Sequence, residues 1–426
     1  MSSVDSMLEA ATERLHEIGS ADVVLAVAAY NHAQTVGGVI DAAQAGLTTH
    51  LPGERSVIVV ADGGSQDDTL ERAHTASPNG LPLLSISYRA HPGYGLGVSY
   101  DGIPTKASAV HASLSIASRL GAKVCAIVGG NLQGLTPDWP LALVAPVTAD
   151  GMDFVTPSHL RHRHEGVLTT AVVYPLLRAL YGKQIREPIG SEFALSGRFA
   201  QHCLAHGPWE SDALGGGIDS WLTTAAVCGG FRVGQGRLGT RSRTSGPPLE
   251  PSELLAQVVG PIFLEMERCA SVWQRIRGSQ PVPSFGPPID ARVDEVVVNV
   301  DPMIETWRLG HQSLHEVWGA ILPPATLLDL KRLARAPASA FRIADELWAR
   351  VVYDFSLAHR LRTIARDHLL RALTPLYLGW VASFVLETRH ASSRDVDDRI
   401  ERLCLTFEAQ KPYLISRWRW PDRFNP

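Results

Sequence analysis

Polar residues stand at the ends of three apolar runs, where parallel strands would end. Asn31 and Asn131 come two residues after the runs DVVLAVAA and KVCAIVG, and Asp62 closes the run SVIVVAD. Open α/β sheets bind their ligands beyond the carboxyl ends of the strands. Carboxylate and amide oxygens placed there can accept hydrogen bonds from hydroxyl and ring N–H groups. The spacing therefore predicts a small-molecule site at one edge of a sheet.

Charged residues elsewhere suit chemistry at such an edge. Lys106 stands near the start of a predicted helix, where an ammonium and the helix amides could meet a diphosphate. Asp219 opens a helical stretch after three glycines and could deprotonate or align a hydroxyl group. Glu192, in the segment IGSEF, could bind hydroxyl groups.

Each of these residues also has a purely structural interpretation, which the sequence leaves open. Lys106 could be a solvated lysine, Asp219 an acid favoured by the helix dipole, and Glu192 an exposed glutamate. Asp62 could close a turn before Gly-Gly, and Asn31 could cap the first helix.

Composition excludes several classes of protein. The 426 residues are 45% hydrophobic and 19% charged, with a net charge of −4 and no Lys/Arg-rich run, so we expect no nucleic-acid partner. The five cysteines are scattered and odd in number, which indicates free thiols in a reducing cytoplasm. The N-terminus has acidic residues and is not typical of a signal peptide. The apolar stretch 369–386 contains Arg371 and Pro375 and predicts a buried helix, not a membrane span.

Strand and helix patterns alternate through residues 20–160, which predicts an open, mainly parallel α/β sheet with helices on both faces. Beyond about residue 250 the chain reads as helical. We expect an N-terminal helix (1–20), a ligand-binding domain (21–250) and a helical domain (251–426). The turn after the first strand, AAYNHAQT, has no glycine, so a Rossmann dinucleotide site is not expected.

The order of six motifs resembles a known family. The motifs are YN, DGGSQDDT, PTKASA, VGGNL with TPDW, IGSEF and GIDSW, spread over residues 30–221. Together they resemble glycosyltransferases of the GT-A fold, most of all the mannosylglycerate synthases and glucosyl-3-phosphoglycerate synthases.

This resemblance implies a GT-A-like, Rossmann-like fold, a nucleoside-diphosphate sugar as donor and a small polar molecule as acceptor. It implies that Asn31 and Asp62 contact the nucleoside. Lys106, Asn131 and Arg243 would face the diphosphate, and Asp219 and Glu192 would be the catalytic residues beside the reacting sugar and the acceptor.

The sequence departs from the family where a Mg²⁺ or Mn²⁺ ion would bind. Gly129 and Asn131 stand in place of two carboxylates, and Arg243 in place of a histidine. Hard divalent cations prefer carboxylate ligands. We therefore expect no metal ligands here and a metal-independent transferase, with Arg243 and Lys106 supplying positive charge. The alternative is a catalytically silent nucleotide-sugar-binding pseudoenzyme, or a partner subunit of an active transferase.

The segment SHLRHRHEG brings together His159, His162 and His164 with two arginines. We expect it to form a polar, anion-attracting loop beside the acceptor site, in preference to a metal cluster. The C-terminal helices would cover the acceptor side and could form a homodimer interface.

Overall fold

The structure is a computed structural model. It describes residues 8–9, 11–76, 80–88, 100, 103, 106–209, 217–240, 242–243, 249–288, 298–337 and 340–421. The chain divides into two compact units. The sheet unit comprises Met1–Leu160, Ile185–Leu249 and Val282–Arg292, and the helical unit comprises Arg161–Gln184, Glu250–Pro281 and Val293–Pro426.

The strands of the described residues are β1 (Val23–Ala29), β2 (Ser56–Asp62), β3 (Leu83–Ser87), β4 (Val124–Gly129), β5 (Leu132–Gln133), β6 (Phe154–Leu160), β7 (Lys183–Gln184), β8 (Phe193–Ser196), β9 (Val233–Thr240), β10 (Ser242–Arg243), β11 (Gln280–Pro281) and β12 (Ser284–Phe285). The helices of the sheet unit are α1 (Thr12–Ile18), α2 (Val36–His50), α3 (Thr69–Thr75), α4 (Lys106–Arg119), α5 (Trp139–Leu143), α6 (Ala145–Thr148), α8 (Gly197–His206) and α9 (Ile218–Cys228). Those of the helical unit are α7 (Tyr174–Tyr181), preceded by the π-helical turn Thr169–Val173, then α10 (Pro251–Arg268), α11 (Ala270–Trp273), α12 (Asp301–Ser313), α13 (His315–Ile321), α14 (Pro324–Ala334), α15 (Asp345–Leu361), α16 (Arg366–Thr388) and α17 (Ser393–Arg419).

Eight of these strands form one sheet in the order β12-β9-β6-β8-β4-β1-β2-β3. Strand β8 runs antiparallel to its neighbours β4 and β6, whereas the other pairs are parallel. The first residue of β8, Phe193, pairs with Ile127 near the end of β4. Residues just before β8 therefore lie at the same sheet edge as the carboxyl ends of the parallel strands.

The central strands are buried on both faces, as their unbroken apolar runs predict. Every residue of β1 and β2 is buried. Val24 and Ala26 belong to one hydrophobic core, and Val23 and Leu25 belong to the core on the opposite face of the sheet. The predicted mainly parallel α/β sheet with helices on both faces, followed by a helical C-terminal region, is confirmed.

A β-bulge bends the last part of β6 against β9. Ser158 pairs with Arg237, but the next residue, His159, pairs with Gly239, so that Leu238 is the extra residue. Gly239 has a φ of +86°, a conformation that glycine adopts without a steric penalty. A bulge changes the direction in which the neighbouring side chains point, and here it lies beside His159.

Five tryptophans are fully buried in the helical unit: Trp273, Trp307, Trp318, Trp348 and Trp380. Helices α12 and α16 approach closely because α16 has glycine at the contact. A Cβ atom at Gly379 would lie 2.3 Å from the indole ring of Trp307. Helix α16, Arg366–Thr388, is long and apolar enough to cross a membrane. However, 78% of its most apolar 18-residue stretch is buried inside the protein. The expectation of a buried helix is confirmed for this segment.

Candidate active site

Lys106 and Asp219 form an ion pair in the interior of the sheet unit. The Lys106 ammonium lies 2.7 and 2.8 Å from the two carboxylate oxygens of Asp219, and both side chains are no more than 4% exposed. Lys106 is the first residue of α4, and Asp219 lies in the first turn of α9. The interpretation of Lys106 as a solvated lysine is therefore wrong. Asp219 lies in the first turn of a helix, as its structural interpretation predicts, but it also pairs with a buried cation.

Glu192 lies directly before β8 and is fully buried, so the interpretation of an exposed glutamate is wrong. Its carboxylate is 3.1 Å from Nε2 of His159, near the end of β6. The next residue, Phe193, lies under the ammonium of Lys106, with 5.5 Å between Nζ and the ring centroid. Phe193 thus links the Lys106–Asp219 pair to the Glu192–His159 pair, and the two predicted catalytic residues lie in one region of the sheet unit.

Hydrogen bonds from three elements hold the segment 185–192 in place. The hydroxyl of Thr223, one turn after Asp219 on α9, donates to the carbonyl of Pro188 at 2.6 Å. The backbone N–H of His159 donates to the carboxylate of Glu187 at 2.8 Å. The backbone N–H of Arg186 donates to the side chain of Gln235 on β9 at 2.6 Å. Glu192 is therefore carried by a fixed segment.

Asp62 closes the turn that follows β2. Its carboxylate accepts hydrogen bonds from the backbone N–H groups of Gly64 and Ser65, each at 3.0 Å, and from the Ser65 hydroxyl. This is the role of a turn aspartate. Contact between Asp62 and a nucleoside remains a prediction.

Asn31 joins the segment after β1 to the segment after β2. Its amide oxygen accepts a hydrogen bond from the Gln66 backbone at 2.8 Å, and its own N–H donates to the Ser65 hydroxyl at 2.8 Å. It has a φ of +53°, which asparagine tolerates better than most residues. Thr35, and not Asn31, occupies the N-cap position of α2. The idea that Asn31 caps the first helix is thus wrong, and the side chain lies at the strand ends where a ligand is expected.

Asn131 is buried in the connection between β4 and β5. The backbone of Arg243 pairs with that of Leu132, the next residue after Asn131, in the short antiparallel ladder of β10 with β5. The fold thus brings the backbone of Arg243 beside the segment that contains Asn131. The side chain of Arg243 lies outside the described residues.

Positions 129–131 do not fit a divalent-cation site. They offer one amide oxygen and no carboxylate, whereas Mg²⁺ and Mn²⁺ prefer carboxylate ligands. The space at Gly129 is also limited, since a Cβ atom there would lie 2.8 Å from the Asn131 amide oxygen. Over the part of the chain that the structure describes, no three His, Cys, Asp or Glu side chains converge as a metal site would require.

The histidines of SHLRHRHEG are divided between the two units. His159 belongs to the sheet unit, while His162 and His164 belong to the helical unit. There, Nε2 of His164 lies 3.0 Å from the Thr388 hydroxyl, and Arg163 donates to the carbonyl of Ala391 at 2.5 Å. The rings of His162 and His164 meet edge to face, with centroids 5.2 Å apart. His159 thus belongs to strand β6 and not to a loop, whereas an anion-attracting role of this segment beside the acceptor site stays a prediction.

Sequence reasoning missed two relationships. It assigned Lys106 and Asp219 to different substrates without expecting them to touch, and it grouped His159 with its sequence neighbours instead of Glu192. The sequence contains a signal for the second pairing. His159 belongs to the strand that begins at Phe154, and the end of this strand reaches the sheet edge at which Glu192 lies.

Comparison with solved structures found similar folds among glycosyltransferases. Glucosyl-3-phosphoglycerate synthase from Mycobacterium tuberculosis, solved with phosphoglyceric acid, is 22% identical over 60% of this chain and 84% of its own, with a TM-score of 0.43. Mannosyl-3-phosphoglycerate synthase from Rubrobacter xylanophilus is 20% identical over 62% of this chain and 79% of its own, with a TM-score of 0.39. A mannosyltransferase from Pyrobaculum calidifontis, solved with GDP-mannose and Mn²⁺, is 14% identical over 91% of this chain and 99% of its own, with a TM-score of 0.44.

No family model and no curated protein matches the sequence. One of the two enzyme groups that the motifs resemble, glucosyl-3-phosphoglycerate synthase, is thus among the solved structures to which this chain is similar.

Proposed function

We propose that this chain is a glycosyltransferase that moves a sugar from a nucleoside-diphosphate sugar to a small polar acceptor. The buried contact between Lys106 and Asp219 carries the proposal. It holds a cation suited to a diphosphate against a carboxylate suited to an acceptor hydroxyl. The ammonium of this pair lies over the ring of Phe193, near the sheet edge where the parallel strands end. Open α/β sheets bind ligands at this edge.

The diphosphate is the leaving group, and its negative charge grows as the bond to the sugar breaks. Lys106 would stabilise that charge from the N-terminus of α4, where the helix dipole favours anions. When the ammonium turns toward the diphosphate, its ion pair with the Asp219 carboxylate is broken. A carboxylate released in this way can accept the proton of the acceptor hydroxyl or align it for attack.

Glu192 would bind hydroxyl groups of the transferred sugar. It is buried on a segment fixed by Thr223, Gln235 and His159, which suits a group that must hold one orientation. Asn31 and Asp62 would contact the nucleoside at the ends of β1 and β2. Both already stabilise the segments in which they lie, so their contact with a nucleoside would add to those roles.

The reaction we propose is independent of a divalent metal. Asn131 supplies a neutral amide where a metal site needs carboxylates, and the backbone of Arg243 pairs with that of the next residue, Leu132. A guanidinium pairs with phosphate oxygens through two parallel hydrogen bonds and can neutralise the leaving diphosphate together with Lys106. The five cysteines, all of which the structure describes, form no disulfide.

Ligand-induced stabilisation tests the donor site directly. The Tm would be measured with a panel of nucleoside diphosphates and their sugars, first in excess EDTA and then with Mg²⁺ or Mn²⁺. A ligand at about 100 times its Kd stabilises a protein by about 2.7 kcal/mol, which a thermal shift resolves. We expect one nucleotide class to raise the Tm in EDTA, and Lys106→Met and Arg243→Gln to reduce the shift. No shift with any nucleotide, with or without metal, would refute the donor site.

Turnover separates the enzyme from a silent nucleotide-binding protein. The donor found in the thermal panel would be incubated with pools of small polar acceptors, and release of the nucleoside diphosphate would be followed. We expect release that depends on the acceptor and is lost in Asp219→Ala. Tight donor binding without acceptor-dependent release would favour the silent form.

A further inference from the structure

His159 makes a contact with Glu192 that the proposed roles leave unexplained. Its side chain is 4% exposed and that of Glu192 is fully buried, and 3.1 Å separates Nε2 from the carboxylate oxygen. His159 also lies at the bulge of β6 against β9, where the strand turns its side chains to a new direction. Its backbone N–H is held by Glu187. Both the main chain and the ring of His159 are therefore fixed by carboxylates.

The pairing determines which ring nitrogen carries the proton. A carboxylate accepts hydrogen bonds, so Nε2 of His159 donates to Glu192. In the neutral ring, Nδ1 is then an acceptor. Nδ1 is buried, and it has no hydrogen-bond partner among the described residues. Buried polar atoms are normally satisfied, and a hydroxyl group of a bound ligand would satisfy this one.

We propose that His159 is a sugar-positioning residue, which holds the Glu192 carboxylate through Nε2–H and accepts a sugar hydroxyl at Nδ1. The inference rests on the proposed function, because it concerns the sugar of the same donor. The Glu192 carboxylate and Nδ1 of His159 would thus both form hydrogen bonds with hydroxyl groups of the same sugar. The proposed function assigns the diphosphate to Lys106 and Arg243, so His159 is assigned to the sugar and not to the nucleotide.

Binding of matched ligands tests this assignment. Calorimetry would compare the nucleoside diphosphate with its sugar-bearing form on the wild type, His159→Phe and His159→Gln. Phenylalanine keeps the ring shape but removes both nitrogens, whereas glutamine keeps an N–H donor near the position of Nε2. We expect His159→Phe to raise the Kd for the nucleoside-diphosphate sugar about two- to tenfold, the loss typical of one neutral hydrogen bond. The Kd for the nucleoside diphosphate should not change, and His159→Gln should recover part of the loss.

A second histidine provides a matched control. Nε2 of His50 lies 3.1 Å from the Asp138 carboxylate in the same unit, but Asp138 is 69% exposed. His50→Phe removes a contact of the same length and type, and it should change neither Kd. If His159→Phe binds the nucleoside-diphosphate sugar with the same Kd as the wild type, the inference is wrong and the proposed function is unaffected. If His159→Phe folds but binds neither the nucleoside diphosphate nor its sugar-bearing form, the inference is also wrong. His159 would then be needed for the whole binding site and not for the sugar alone. Failure of the wild type to bind any nucleotide would refute the proposed function itself, and the inference with it.

Discussion

Lys106 and Asp219 are separated by 113 residues, yet both carboxylate oxygens of Asp219 lie within 2.8 Å of the Lys106 ammonium. Each residue comes from the first turn of its own helix. A lysine at a helix N-terminus is disfavoured by the helix dipole, whereas an aspartate there is favoured. The aspartate thus compensates both the buried charge of the lysine and its unfavourable place in the helix.

This relationship predicts strong coupling between the two side chains in stability. Removal of one partner from a buried ion pair leaves an uncompensated charge and typically costs about 3–5 kcal/mol. We expect Lys106→Met and Asp219→Asn each to lower the free energy of unfolding by about this amount. The double variant should lose much less than the sum. Urea unfolding of the four proteins measures the coupling, and additive losses would contradict a direct interaction.

The same pair predicts opposite effects on diphosphate binding. Lys106→Met should weaken binding of the nucleoside diphosphate by about tenfold or more, because a charged hydrogen bond is lost. Asp219→Asn should tighten it, because the Asp219 carboxylate no longer competes with the diphosphate for the ammonium. Asp219→Asn should also lower turnover by about 10²–10⁴-fold if the carboxylate acts as a base. Calorimetry and rate measurements provide both readouts. Equal weakening by the two variants would indicate that the pair only stabilises the fold.

Packing of α12 against α16 predicts contrasting outcomes for two glycines of the helical unit. Gly379→Ala would place a methyl group 2.3 Å from the rigid indole of Trp307. We expect a loss of about 1–3 kcal/mol in the free energy of unfolding from this overpacking. Gly319 lies within α13, and a Cβ atom there would meet nothing within 4 Å. Gly319→Ala should therefore stabilise the protein by up to about 1 kcal/mol. Thermal unfolding distinguishes the two, and similar Tm shifts would be unexpected.

His164 predicts a loss of stability in mild acid. Burial, reinforced by the charges of His162 and Arg163, lowers the pKa of His164 from 6.5 to about 4. The unfolded chain takes up a proton at this residue as the pH falls through 6.5, but the folded chain does so only near pH 4. Acidification over this range therefore favours the unfolded state. The Tm of the wild type should fall more between pH 7.5 and pH 5 than that of His164→Gln, and parallel falls would contradict this origin.

Local sequence patterns are sufficient to predict the sheet and the sheet edge at which the candidate site lies. A strand covered on both faces must be apolar throughout, so β1 and β2 appear in the sequence as unbroken apolar runs. The residues that follow such runs are placed at one edge by chain direction alone. Asn31, Asp62 and Asn131 therefore lie at strand ends, as their places after these runs predict.

The pairing of side chains was decided by the tertiary structure. Whether Lys106 meets solvent, a ligand or Asp219 depends on where α4 and α9 stand over the sheet, which no local pattern reports. The burial of Glu192 beside His159 likewise depends on the antiparallel insertion of β8 between β4 and β6. Residues 161–184 group with the C-terminal helices although they lie between two strands of the sheet unit. Sequence periodicity records which face of an element is buried, whereas the partner against which it is buried follows from the order of the strands and the placement of the helices.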